Sequence, residues 1–246
     1  MESPLELFFV FIMAFAAGLP VRGGETDVEQ DTIQKFFASR GMQVDLKKRE
    51  VKMDASVCLK KGILEYLVCR PGSYEHESIF VTRTKAQYLH LALSLVGLRE
   101  SPVSPPLFFL LAKSQKLQHS RVGIDVEFKV DGRDVRCKLS KLLVNRANNK
   151  VEVPNEWIFF GSHVLERNGK TIYAADDSGA VVSIVPNGNA VVQFGEETSN
   201  PYQGEDKGIE ASPQAVPAVG TLVKLVFKPL GAAAPPVAES SKDPAK

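Results

Sequence analysis

Residues 51–59 alternate between apolar and polar side chains, and this alternation constrains the fold more than any other feature of the sequence. Apolar residues at every second position predict a strand with one buried face and one solvent-facing side. The Lys-Lys-Gly sequence at residues 60–62 then predicts a turn, and residues 63–69 form a second, more apolar run. We therefore predict a hairpin, followed by a short third strand at residues 79–81.

Residues 86–96 carry the clearest helical pattern. Apolar side chains and His90 recur on one face of a helix, at positions 86, 89, 90, 93 and 96. Thr84 and Gln87 have the spacing of a capping box, and Gly97 is suited to end the helix. On this face His90 is expected to be a hydrogen-bonded core residue, because a buried imidazole needs a partner.

The second half of the chain reads as strands and turns. Residues 122–130 alternate and end in Asp131 and Gly132, which predict a hairpin with a returning strand. Further short strands, joined by glycine-containing turns, predict an antiparallel meander, and a last apolar strand closes the domain: residues 157–161, 171–174, 180–185, 190–194 and 221–227. The predicted fold class is α+β, with mostly antiparallel sheet, in one or two layers, and one main helix packed across a face.

The composition supports a folded, exported domain. The chain has 246 residues, 44% of them hydrophobic, so it can bury a core, and a net charge of +1 argues against nucleic acid as a partner. The apolar run from Leu7 to Leu19 has the form of a signal-peptide core and is short for a membrane span. Membrane contact is expected only through this run, if it stays uncleaved. The predicted organisation is a signal peptide or anchor (1–23), a leader (24–43), one α+β domain (44–230) and a disordered tail (231–246).

Three cysteines are present, and export makes disulfides possible. If residues 60–62 form the turn, Cys58 and Cys69 lie on the order of 16 Å apart along the ladder, too far to bond. The odd count leaves at least one thiol free. The sequence therefore predicts no bridge between these two residues in that register.

The loop after residue 70 is the first candidate site. Tyr74, Glu75, His76, Glu77 and Ser78 concentrate charged and hydroxyl groups between two strands, where loops commonly carry binding residues. The alternative is a plain turn with a surface ion pair between His76 and Glu77. The long polar stretch 195–217 is a second expected binding loop.

A metal site is the other hypothesis. His76 and Glu77, joined by His163, would supply two imidazoles and one carboxylate, a set that binds zinc or iron, so the implied cofactor is a transition metal. The spacing of these residues is not diagnostic. No complete catalytic motif appears in the sequence, which favours a protein that is not an enzyme.

Several of these segments together resemble a known family. The matching stretches are residues 61–69, 76–79, 87–97, 157–162 and 220–227. They are similar to YdjY-domain proteins, a bacterial envelope family of unknown function, over roughly residues 44–229. The resemblance implies a place in the periplasm or cell envelope and supplies no catalytic residues.

Two functions follow as expectations. The first is an exported, non-catalytic protein that binds a protein or another envelope component through loops 71–78 and 195–217. The alternative is a metal-binding or redox accessory protein that uses His76, Glu77 and His163.

Overall fold

The computed structural model of the protein describes residues 25–103, 117–146, 153–196 and 208–231. The α-helices in these ranges are α1 (Glu25–Ala38), α2 (Ala86–Leu95) and α3 (Ala174–Ser178), and short 3-10 helices lie at Glu75–Glu77 and Leu139–Leu142. The strands are β1 (Met42–Asp45), β2 (Glu50–Val57), β3 (Gly62–Leu64), β4 (Tyr66–Cys69), β5 (Ser78–Val81), β6 (Arg121–Val130), β7 (Arg133–Lys138), β8 (Leu143–Asn145), β9 (Trp157–Phe159), β10 (Val164–Arg167), β11 (Lys170–Tyr173), β12 (Ala180–Ser183), β13 (Val192–Phe194), β14 (Ile209–Ala211) and β15 (Leu222–Pro229).

Eight of the strands close into a barrel. Neighbours pair in the order β2-β15-β6-β9-β13-β12-β4-β5, and β5 returns to β2 through the pairs Ser56↔Val81 and Val57↔Phe80. Two pairs, β4 with β5 and β12 with β13, are parallel, and the others in the ring are antiparallel. Closure pairs strand edges that an open sheet would leave exposed.

The alternation of the long strands fills the barrel. In β2, Val51, Met53 and Val57 are buried, whereas Lys52 and Asp54 between them reach solvent. The same period in β6 and β15 adds further apolar side chains to one main core, which also holds Trp157, Phe159 and Phe227. Burying each large apolar side chain contributes about 1.5–3 kcal/mol, so these strands supply most of the stabilising burial.

Smaller elements surround the barrel. β3, β14 and β8 form a three-stranded sheet, β10 and β11 form a hairpin, and β1 and β7 extend the barrel sheet beside β2 and β6. Helix α1 covers the segment next to β1: Ile33 and Phe37 are buried in the main core, and Gln34 Nε2 donates to the Val44 carbonyl oxygen at 2.5 Å. The expected leader segment therefore folds as part of the domain from Glu25 onward.

The α+β prediction is wrong, because the domain is mostly β and its sheet closes into a barrel. Helix α2 has only 10 residues and lies beside the barrel, and within the described ranges no single main helix crosses an open sheet. The short strands β9, β12 and β13 cause the difference, since they complete the ring between β6 and β4. Their mutual pairing is partly parallel, so the predicted meander is wrong as well.

The first predicted hairpin is also wrong. Strand β2 pairs with β1, β15 and β5, and the predicted return strand divides into β3, which pairs with β14, and β4, which pairs with β12 and β5. By contrast, the later hairpin is confirmed: β6 and β7 pair across Asp131 and Gly132, which have φ angles of 49° and 77°. The helix predicted at residues 86–96 is confirmed as α2.

Among the helices of the described ranges, none combines the length and the apolar character needed to cross a membrane. The run from Leu7 to Leu19, the apolar part of residues 104–116 and the predicted tail from residue 232 onward lie outside the described residues.

Candidate functional site

The loop between β4 and β5 carries the predicted binding residues, and its own hydrogen bonds fix its shape. The Gly72 backbone N–H donates to Glu75 Oε1 at 2.6 Å, and the Ser73 hydroxyl donates to the Arg70 carbonyl oxygen at 2.7 Å. Gly72 has a φ of 80°, which glycine adopts without strain. The bond from the Gly72 N–H keeps the pKa of Glu75 below its ordinary value, so this carboxylate serves to stabilise the loop.

Tyr74 is held by an aromatic contact with the barrel. Its ring stacks on Tyr66 of β4, with 4.1 Å between centroids and 19° between ring planes. The Tyr66 hydroxyl accepts a hydrogen bond from Asn187 Nδ2 at 3.1 Å, and burial raises the pKa of Tyr66 above its ordinary value. Tyr66 is buried and Tyr74 is half-buried, so one face of the Tyr74 ring is anchored.

His76 and Glu77 form a surface contact. His76 Nε2 lies 3.2 Å from Glu77 Oε1, and the His76 side chain is 71% exposed. An ion pair at such exposure contributes at most about 1 kcal/mol. Glu77 also faces Glu65: burial first, and then the neighbouring Glu77 charge, raise the pKa of Glu65.

Ser78 is fully buried and lies with two cysteines instead of facing solvent. Cys58 Sγ donates to the Ser78 carbonyl oxygen at 3.1 Å. The hairpin behind the predicted separation of Cys58 and Cys69 does not form, and the two residues flank β5 instead. The prediction that no bridge joins them agrees with the structure. All three cysteines of the chain are free thiols.

The same loop forms one wall of a cleft of about 400 Å³. Its opposite wall is the end of α3, and the two walls are tied together: the Arg70 N–H donates to the Gly179 carbonyl oxygen at 2.9 Å. Gly179 has a φ of 81°, and a Cβ there would stand 2.5 Å from Ser73 Oγ, so only glycine allows this approach. The lining residues are Arg70, Pro71, Gly72, Ser73, Tyr74, Asp176, Asp177, Ser178 and Gly179.

Asp176 connects this cleft to helix α2. Its Oδ1 accepts hydrogen bonds from Arg70 Nη1 at 2.8 Å and from the Ala86 N–H at 2.7 Å, and its Oδ2 accepts one from the Gln87 N–H at 3.3 Å. The first amides of α2 lack partners within the helix, so a carboxylate at this end is stabilising.

The predicted capping box is wrong. The Thr84 hydroxyl donates to the Arg40 carbonyl oxygen at 2.8 Å, and the N-cap residue Lys85 makes no side-chain cap bond. Asp176 therefore provides the cap from 90 residues along the chain.

A second polar cluster surrounds His90. Its Nε2 lies 2.9 Å from Glu100 Oε1 and its Nδ1 lies 2.6 Å from the Tyr173 hydroxyl, which in turn accepts from the Ser162 N–H at 3.2 Å. The His90 side chain is only 12% exposed, so its prediction as a hydrogen-bonded core residue is confirmed. Burial raises the pKa of Tyr173, which keeps this hydroxyl protonated as a hydrogen-bond donor.

His76, Glu77 and His163 are not gathered into a metal site. Across the described ranges, no three His, Cys, Asp or Glu side chains are arranged to hold a metal ion. His163 is exposed and borders a different cleft, of about 250 Å³, beside Glu100. His76 and Glu77 thus contact each other, while His163 lies in different surroundings.

The second predicted loop, 195–217, is described only at its two ends. Part of this stretch is a strand: Ile209–Ala211 forms β14, which pairs with β3 and β8. Ile209 and Ala211 are buried. Its residues 197–207 lie outside the described part of the chain.

Two parts of the site escaped prediction: the role of Asp176 and the Tyr66 stack. Asp176 belongs to an Asp-Asp-Ser-Gly sequence that resembles an ordinary turn, and the glycine is indeed the left-handed residue that ends α3. Its role depends on a partner far away in the sequence, and no local signal identifies that partner. Tyr66 and Tyr74 lie eight positions apart, and only the folded loop brings them together.

Fold and cleft together define a class: a small β-barrel domain whose loops form a rigid, polar, open cleft. The YdjY domain model matches residues 42–228, so the chain belongs to the YdjY domain family, and the resemblance drawn from the sequence is confirmed. No curated protein and no solved structure matches the chain.

Proposed function

We propose that this protein is an exported, non-catalytic binding module of the cell envelope, whose cleft between the 70–74 loop and α3 binds a hydroxyl-rich glycan. The observation that carries the proposal is the cleft itself, whose two walls are joined by hydrogen bonds and which has a tyrosine at its border. Export rests on the apolar run at residues 7–19.

The polar groups of the cleft support binding more than chemistry. Asp176 already accepts three hydrogen bonds, Ser73 donates to its own loop, and Asp177 Oδ2 lies 3.0 Å from Arg167 Nη2. A nucleophile or general base needs a free lone pair directed at the substrate. These groups instead hold the walls in place, and fixed walls lower the entropic cost of binding.

The chemistry of the lining favours a sugar. Tyr74 presents an aromatic surface whose other face is fixed on Tyr66, and an aromatic ring packs against the C–H face of a sugar ring. Around it stand the carboxylate of Asp177 and the hydroxyls of Ser73 and Ser178, which can exchange hydrogen bonds with sugar hydroxyls. The lining contains no large aliphatic side chain, which argues against an apolar ligand.

The test is a titration of the purified domain with soluble fragments of bacterial cell-wall glycan, followed by calorimetry and by backbone amide shifts in NMR. We expect shifts concentrated at residues 70–74 and 176–179, and about tenfold weaker binding for Tyr74→Ala, the loss of one good contact. Tyr88→Ala is the matched control, because Tyr88 is a half-buried tyrosine outside the cleft lining. Binding that Tyr74→Ala leaves unchanged, or shifts located elsewhere, would refute the assignment of the cleft.

A further inference from the structure

A second cleft, of about 250 Å³, lies beside the cluster around His90 and has a carboxylate in its wall. This carboxylate belongs to Glu100, whose side chain is 52% exposed. Its Oε1 lies 2.9 Å from His90 Nε2, whereas its Oε2 has no partner among the described residues. We propose that this cleft is a binding site for a primary ammonium group, which Glu100 holds through Oε2.

A chain of hydrogen bonds that runs into the domain holds the carboxylate in place. An ionised carboxylate can only accept, so His90 Nε2 carries the hydrogen that joins it to Glu100. In the neutral imidazole, His90 Nδ1 then accepts from the Tyr173 hydroxyl at 2.6 Å, and the Tyr173 oxygen accepts from the Ser162 N–H at 3.2 Å. The His90 side chain is only 12% exposed, so the group that positions Glu100 is itself fixed. A carboxylate fixed in advance loses little conformational freedom when a ligand binds.

Gly161 makes room for this arrangement. Its N–H donates to the Val191 carbonyl oxygen at 3.0 Å, which fixes its backbone against the barrel. It has a φ of 68°, and a Cβ there would stand 2.7 Å from Glu100 Cδ and 2.9 Å from Glu100 Oε1. A side chain at this position would therefore push the carboxylate away from His90. The glycine serves the position of Glu100 as well as the conformation of the backbone.

The surroundings of the carboxylate favour an ammonium ligand. An ammonium group offers three hydrogens and a positive charge, and its hydrogen bond to a carboxylate is about twice as strong as a neutral one. Among the described residues no Lys or Arg pairs with Glu100, so its charge is available to a ligand. His163 is exposed at the border of the same cleft and adds a second acceptor while its ring is neutral. Pro102 and Phe160 line the cleft as well, which gives the carbon atoms beside the ammonium an apolar wall.

Two kinds of ligand carry such a group: an amino sugar with an unacetylated amine, and a lysine-like side chain. The site does not depend on the glycan site at residues 70–74, because the two clefts share no lining residue. The test is an NMR titration of the full chain with glucosamine, N-acetylglucosamine, and Nα-acetyl-lysine amide with and without acetylation of its side-chain amine. We expect the free amines to shift the backbone amides of residues 100–103 and 160–163. Acetylation removes the charge and should weaken binding at least about tenfold. The free amine that binds more tightly identifies the source of the ligand.

One variant and one control test the role of Glu100. Glu100→Gln keeps the shape and one acceptor oxygen but removes the charge, so it should bind both free amines at least about tenfold more weakly. Glu210→Gln is the matched control, because Glu210 is 40% exposed, pairs with Arg146 and lies outside the cleft lining.

Three results would overturn the proposal. The first is equal binding of the free and the acetylated amines. The second is an absence of shifts at residues 100–103 and 160–163, including the case in which shifts occur only at residues 70–74 and 176–179 of the other cleft. The third is a folded Glu100→Gln variant that binds as tightly as the wild type. The first two are measured on the wild type alone, so they decide the proposal even if the variant does not fold.

Discussion

Substitution of Asp176 by alanine is predicted to destabilise the whole domain, although this residue belongs to a helix of only five residues. Its carboxylate joins two parts of the chain: it accepts the first amides of α2, at Ala86 and Gln87, and the guanidinium of Arg70. Removing it leaves the helix end uncapped and Arg70, whose side chain is 24% exposed, without this partner.

The magnitude follows from these contacts. Loss of a cap costs about 1 kcal/mol, and loss of a charge-assisted bond to a partly buried guanidinium costs about 1.5–3 kcal/mol. Because the two contacts share one carboxylate and are not additive, we expect Asp176→Ala to lower the free energy of unfolding by about 3 kcal/mol. Asp176→Asn keeps one acceptor oxygen and loses the charge, so about half of that loss is expected.

Urea unfolding followed by circular dichroism measures both changes. The midpoint should fall while the slope with denaturant stays constant, which shows that stability changed and the surface exposed on unfolding did not. Asp177→Ala is the matched control, because the neighbouring carboxylate pairs with Arg167, whose side chain is 58% exposed; a loss below about 1 kcal/mol is expected. Equal losses for the two alanine variants would refute the capping argument.

Two further predictions concern other parts of the molecule. Glu65→Gln should stabilise the protein at pH 7 by about 0.5 kcal/mol, because burial and the Glu77 charge raise the folded-state pKa of Glu65. The wild type therefore loses stability as the pH rises above 4.5. Below that pH the stability difference between variant and wild type should vanish. Phe37→Ala should cost about 3–5 kcal/mol, since this residue of α1 is buried in the main core; a loss below 1 kcal/mol would mean that α1 is not docked.

The sequence predicted those elements whose signal is local. The helical period of residues 86–96 identified α2, and Asp131 with Gly132 identified the β6–β7 hairpin, because a left-handed turn needs such residues. Closure of the barrel was not predictable in this way. It depends on the parallel pairing of β4 with β5 and of β12 with β13, and alternation within a strand does not specify its neighbours.

The candidate site shows the same division. The loop at residues 71–78 was identified correctly as a cluster of polar groups, yet its members have different surroundings: Ser78 is buried, Glu75 bonds to its own loop and His76 is exposed. The hairpin expected around Cys58 and Cys69 followed from a glycine turn. Gly62 has a positive φ, of 140°, but it leads into a strand that pairs with β14 and not back along β2.

The position of Asp176 decides which variants can test ligand binding. Because its carboxylate lines the cleft and also caps α2, a substitution there alters the cleft wall and the stability of the fold together, and lost binding would have two explanations. Tyr74 does not have this double role: its ring contacts Tyr66, while its backbone carbonyl oxygen, which any residue retains, accepts from the Glu77 N–H. Binding should therefore be tested at Tyr74, and the structural link between the cleft and α2 at Asp176. A Tyr74→Ala variant that unfolds at the wild-type urea midpoint but binds glycan more weakly would separate the two roles.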